Sequence, residues 1–327
     1  MFAPSPSLRV SFPDNFGRRV AVFVDTEEEF DWAKPRRRDA GSVQAIQALP
    51  VAHQVLRGFG IQPTYLVDYP VASTPQSIAV LHEFLDAGEC QIGAQLHAWV
   101  NPPFTEVLEP ATSFAGNLPK PLEHAKLAAL TLAIRSAFGV QPRVFRAGRY
   151  GIGPNSEALL DMLGYRMDTS VRPLFDYSDE GGPNFVHQPS APHWTGAERR
   201  ILEVPLTTTF VGGLRNLGKP LYRSGGRRVK SLLARTGLLS RVPLTPEGIP
   251  EADALEALRV LLDTDLQLFS ISFHSPSVEP GHTPYVRDAA DLRLFYRWFD
   301  SVFGFLAARG ITPATADEVL EAADATR

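Results

Sequence analysis

Residues Arg19–Trp32 read RVAVFVDTEEEFDW, and this stretch decides the fold. Its first half is an unbroken apolar run, the pattern of a strand buried on both faces of a parallel sheet. Its second half turns abruptly acidic. A strand ending in carboxylates places them at the C-terminal edge of the sheet, where α/β barrels build their sites. Further along, Val43–Gly58 has helical spacing, Gln62–Val67 reads as a second strand, Pro75–Ala87 as a helix closed by Gly88, and Cys90–Ala94 as a third strand. Lys120–Phe138 is a long Ala/Leu-rich helix, followed by a strand at Arg143–Phe145, a helix at Pro154–Leu163 and a strand at Tyr165–Ser170. The alternation breaks between Phe175 and Pro250, which hold the apolar segment Ile201–Val211 and a Gly/Arg-rich region, Gly212–Arg241. It resumes with a helix at Glu251–Leu262, a strand at Leu266–Phe273, a helix at Ala289–Arg309 and a terminal segment, Thr312–Ala323. Strands alternating with helices predict an α/β chain with a parallel sheet. The expected architecture is a distorted (β/α) barrel in one domain, residues 19–324, after an N-terminal tail (1–18) and with an insertion at about 176–250.

Composition narrows the function. With 327 residues, 44% of them hydrophobic, the chain has material for a large core. A net charge of −4 argues against bulk nucleic-acid binding, which needs a basic footprint. The single cysteine, Cys90, excludes an intramolecular disulfide and a cysteine-based zinc site, and is expected to be a buried small hydrophobe. Met1–Phe16 holds three prolines and no long apolar run, and no stretch of about 18 apolar residues occurs elsewhere. Neither a signal peptide nor a transmembrane segment is read, so the default compartment is the cytoplasm. No dinucleotide fingerprint or P-loop is present.

Four polar clusters follow predicted strands. In the first, Asp25–Trp32, crowded acids repel one another unless a metal or an arginine lies between them; alone, the cluster reads as a solvated acidic loop. Asp25 and Glu27, two residues apart, share one face of an extended chain. The second, Gln91–Phe104, carries His97 in a loop with Trp99 and a Pro pair; a lone loop histidine is more often structural than a ligand. The third, Val144–Gly151, sets Arg146 where it can pair with a strand-end carboxylate, and Gly148 and Gly151 where backbone amides can approach an oxyanion. In the fourth, Leu268–Gly281, His274 ends an alternating apolar strand, a position suited to a general acid or base as well as to a structural role.

Together the segments DTEEEFDW, IGAQLHAWVNPP, FRAGRYG, GYRMDTSVRP and FHSPSVEPGHTPYVR resemble the polysaccharide-deacetylase (NodB-homology, carbohydrate esterase family four) superfamily, and within it the WalW-like branch. The resemblance runs from about Arg19 to Ala316. It implies an N-deacetylase, a hydrolase of non-peptide C–N bonds acting on a small sugar or glycan. It also implies a divalent metal, zinc or a similar cation, held by one acid and two histidines. Carried over, Asp25 is the general base, Glu27 and His97 are metal ligands, Arg146 orients the base and His274 is the general acid. Asp168 and Ser170 match the motif whose acid commonly supports that histidine. The second motif departs from the His-x-x-x-His pattern. Gln95 stands where the first histidine belongs and Trp99 where the second does; sliding by two pairs His97 with Asn101 instead. Gln95 and Asn101 offer carbonyl oxygens, poor ligands for zinc but acceptable to harder cations. A metal-independent amide hydrolase of the allantoinase-like kind and a catalytically silent glycan binder therefore stand as alternatives. Retention of Asp25, Arg146 and His274 together speaks against the silent binder. Trp32, Trp99, Arg149 and Tyr150 are candidate substrate contacts. The basic residues Arg223, Arg227, Arg228, Lys230 and Arg235 are read as a solvated face first, with an anionic substrate or lipid surface as the sharper possibilities.

Overall fold

The structure is a computed structural model, and it describes residues 4–196, 198–224 and 226–327. Eleven strands occur among them: β1 (Arg19–Thr26), β2 (Thr64–Val67), β3 (Gln91–Leu96), β4 (Val144–Ala147), β5 (Met167–Asp168), β6 (His193–Thr195), β7 (Ile201–Glu203), β8 (Thr208–Val211), β9 (Ser240–Pro243), β10 (Leu268–His274) and β11 (Thr312–Pro313). Nine form one sheet in the order β10-β1-β2-β3-β4-β5-β7-β6, with β11 paired to β1. All pairings in it are parallel except β6 with β7. The gap between β10 and β7 is laced by the small β8–β9 sheet. Thr207 N donates to Ser270 O, Leu244 N to Thr207 O and Ser272 N to Leu244 O. The predicted distorted barrel is thus the observed architecture.

Side-chain alternation along the main sheet separates two cores, and a small third cluster, Leu174, Phe210 and Leu239, lies at the β8–β9 sheet. Val20, Val22 and Val24 of β1, with Phe269, Ile271 and Phe273 of β10, pack outward among the helices. The α-helices among the described residues are α1 (Leu49–Gly58), α2 (Tyr69–Ser73), α3 (Pro75–Asp86), α4 (Lys120–Phe138), α5 (Ser156–Met162), α6 (Gly218–Ser224), α7 (Arg227–Arg235), α8 (Glu251–Leu262), α9 (Ala289–Ala307) and α10 (Ala316–Asp324), and α6, α7 and α10 take no part in that outer core. The intervening residues Ala21, Phe23, Leu66, Val144, Met167, Leu202 and Leu268 form a second core. Val10, Phe12 and Phe16 of the N-terminal segment and Val319 and Leu320 of α10 close it from below. Continuing upward on the same parity come Asp25, Asp68, Arg146 and His274. The barrel interior is therefore apolar at its base and ionisable at its mouth.

The segment expected as an insertion supplies β6 and β7 to the main sheet, then the lacing strands and the basic helices α6 and α7. Arg228 and Arg235 are exposed and Lys230 is half-buried; the side chains of Arg223 and Arg227 lie outside the described residues. Cys90 is buried. No helix among the described residues is long and apolar enough to cross a membrane.

Candidate active site

Register sets the first contact. Asp25 of β1 lies beside His274 of β10, and Gln95 of β3 beside Arg146 of β4. These residues meet around a cavity of about 300 Å³, lined also by Glu27, His97, Trp32, Trp99, Tyr150, Arg149, Arg172, Glu247 and Tyr285.

One half of the site centres on Asp25. Arg146 Nη1 donates to Asp25 Oδ1 at 2.6 Å and to Ser272 Oγ at 2.5 Å, while its Nε donates to Thr169. The other carboxylate oxygen, Oδ2, stands 3.5 Å from His274 Nε2. His274 Nδ1 bonds Glu247 Oε2 at 2.6 Å, and Glu247 Oε1 accepts from the His274 amide and from Ser277. Burial lowers the affinity of His274 for its proton, but Glu247, Glu27 and Asp25 together outweigh it and bring the imidazole up to about 10. Trp32 stands edge-on to the His274 ring, 5.2 Å away.

Glu247 corrects a sequence expectation. Asp168 was the acid expected to support the histidine, but Met167 and Leu202 point into the barrel, so their neighbours Asp168 and Glu203 face the opposite side of the sheet. There Asp168 accepts from Ser170 at 2.5 Å. Glu247 stands four residues past β9, after the mixed segment SRVPLTP, which gave no strand-end signal of the kind that marks Asp25 in β1.

The other half centres on Glu27. His97 Nε2 lies 3.4 Å from Glu27 Oε2, to which Gln95 Nε2 donates at 3.0 Å. On its far side His97 Nδ1 bonds Glu28 Oε2 at 2.6 Å, and Trp99 Nε1 donates to Glu28 Oε1 at 2.7 Å. Asp68 caps α2 through Val71 N and accepts the Glu28 amide. Burial pushes Glu27 up to about 7 and Glu28 to about 8, and it raises Asp68, with the Glu28 charge adding to it; it lowers His97. The remaining acids of the cluster look elsewhere, Glu29 to Ser42 and Ala45, Asp31 to Lys34.

Glu28, Asp68 and His97 offer ligand atoms within 4.8 Å of one another. Glu28 and Asp68 are already engaged by Trp99, His97 and two backbone amides, so they act as the outer layer that orients His97 and leaves its Nε2 facing Glu27. Two buried oxygens, Glu27 Oε1 and Gln95 Oε1, have no donor among the described residues. One imidazole nitrogen with carboxylate and amide oxygens is a donor set that fits a divalent cation harder than zinc's preferred partners. Gly148 permits this geometry, because a Cβ there would come within 2.2 Å of His97 Cδ2.

Of the expected substrate contacts, Trp32 and Tyr150 line the cavity, and Arg149 does so while paired to Glu180 and Ser113. Trp99 also borders it, but its ring is fully buried and stacks on His97 at 4.2 Å, so it braces the histidine. Arg149 and Tyr150 both hold φ of 57°, a left-handed turn that non-glycine residues rarely adopt. Asn101 bonds Lys126 O and Pro102 O and does not line the cavity.

No protein-family model and no curated protein sequence matches the chain. Solved structures do. A protein described as a polysaccharide deacetylase from Mycobacterium smegmatis shares 17% identity over 98% of this chain and 95% of its own, with a TM-score of 0.56. A PuuE allantoinase shares 14% identity over 95% of this chain and 92% of its own, with a TM-score of 0.54. The chain shares its fold with both structures.

Proposed function

We propose that the chain is a deacetylase-type hydrolase that removes an N-acetyl group from a sugar or glycan, with Asp25 as general base and His274 as general acid. The observation that carries this reading is the register pairing of Asp25 with His274, each fixed on its outer side by a partner, Arg146 and Glu247. Arg146 occupies Asp25 Oδ1, so Oδ2 is the oxygen that takes the proton of the attacking water. Glu247 holds the Nδ1 side of the imidazole, so the proton delivered to the departing amine leaves from Nε2. With its pKa near 10, His274 stays protonated at neutral pH until it is needed. The backbone amides of the left-handed turn at Arg149–Tyr150, which borders the cavity, would stabilise the tetrahedral oxyanion. Glu27, His97 and Gln95 would hold a divalent cation, whose chemistry there is to polarise the acetyl carbonyl and lower the pKa of water. The fold shared with a deacetylase structure and the five motif segments support the reading.

A second reading, hydrolysis of an amide without metal, is favoured by Gln95, whose amide donates to Glu27 Oε2 where the family pattern has a histidine. The deciding experiment measures acetate release from N-acetylated sugar oligomers by chelator-treated protein, with and without added manganese or zinc. Acetate released only with added metal supports the first reading. Equal release after chelation supports the second, and no release under either condition sinks both.

A further inference from the structure

Arg172, in the segment GYRMDTSVRP, has no part in the chemistry above, yet its side chain lines the same cavity. Its surroundings are unusual for a guanidinium. Nη1 donates to the Tyr177 hydroxyl at 3.1 Å, and its carbon lies 3.9 Å from the Phe175 ring centroid and 5.3 Å from that of Tyr150. Its Nε is buried without a hydrogen-bond acceptor, and no carboxylate pairs with it among the described residues. A second guanidinium, Arg241, lies over the same Phe175 ring at 3.4 Å, and it too has no carboxylate pair among the described residues, donating to Leu174 O. Arg146, Arg149 and His274 of the lining are matched, by Asp25, Glu180 and Glu247, whereas Arg36, also without a carboxylate pair among the described residues, lies over the Phe30 ring at 4.3 Å. Two cations crowded on one ring, neither with a carboxylate pair among the described residues, repel each other and lose hydration; an anionic ligand at Arg172 would offset those costs.

We infer that Arg172 forms a subsite for an oxyanion carried by the substrate, a carboxylate or a phosphate, so that the preferred substrate is an acidic N-acetyl sugar. Resting on the deacetylase reading for its sugar, this subsite is placed by Tyr150, whose ring both Arg146 and Arg172 approach, at 5.8 and 5.3 Å. The anion subsite and the arginine that holds Asp25 therefore border the same ring.

The test is equilibrium binding to the full chain of three sugars matched except at C6: N-acetylglucosamine, its uronic acid and its 6-phosphate. The preferred acid binds about tenfold or more tightly than the neutral sugar, as a charge-assisted contact implies. That preference weakens with added salt, whereas neutral-sugar binding does not. Arg172→Gln abolishes the preference and Arg172→Lys keeps part of it, with melting temperatures confirming that both variants fold. The two acidic arms distinguish carboxylate from phosphate. Equal affinity for all three sugars, no binding of either acid at millimolar concentration, or a preference that survives Arg172→Gln overturns the inference. If the acids bind preferentially but no sugar loses its acetyl group, the reaction assigned above fails and the anion subsite stands.

Discussion

Around Asp25 the charges come in opposite pairs: Arg146 against Asp25, Glu247 against His274. Around Glu27 they do not. Three buried carboxyls, Glu27, Glu28 and Asp68, surround one imidazole whose own basicity burial suppresses. The first half is held in place by its own residues. The second is short of positive charge, and a cation bound there would let its carboxyls ionise.

The largest effect tests the first half. Asp25→Asn and His274→Ala should each lower turnover by about 10² to 10⁴-fold in protein that still folds, with a lower melting temperature because Arg146 or Glu247 loses its buried partner. Retained turnover in either variant would break the division. The second half is tested by Glu28→Gln, which leaves the cavity lining intact but loosens His97; calorimetry should show cation affinity falling about 10 to 100-fold. A smaller effect comes from Glu247→Gln. Removing that charge lowers the His274 pKa, so the alkaline limb of the pH–rate profile moves to lower pH, with a modest loss at neutrality. An unmoved limb would mean that another group sets it.

The smallest effect sharpens the comparison. Glu27 and Glu28 bind protons more tightly in the folded chain, near 7 and 8, than at their ordinary value of 4.5. The stability these two groups contribute is full below 4.5 and is lost as pH rises through 7 and 8. A cation that takes the place of those protons should therefore stabilise more as pH rises. The melting temperature with manganese, minus that with chelator, should be near zero at about pH 5 and several degrees at about pH 8. A gap independent of pH would show that the cation does not displace those protons.

Much of this site was legible because strand chemistry is local. RVAVFVD announces a buried strand and the acid that ends it, and LFSISFH does the same for His274. The matching arginine follows from FRAGRYG. What escaped was the layer behind. Asp68 ends TYLVD by the same rule as Asp25, but nothing in the spacing says that it turns toward Glu28. Glu247 stands 27 residues before His274, beyond an Arg-rich stretch of weak periodicity, and only the lacing of Leu244 to Thr207 and Ser272 brings it to the histidine. Asp168 misled because a motif position carries no information about which face of a two-residue strand its side chain takes.

That lacing has an evolutionary reading. Arg172, Tyr177 and Glu247 all lie on the one continuous stretch between β5 and α8. Choice of substrate charge and tuning of the acid histidine therefore travel together. A single recombination event, or one segment swap at the bench, would exchange both at once and leave Asp25, Arg146 and the Glu27 cluster with the recipient.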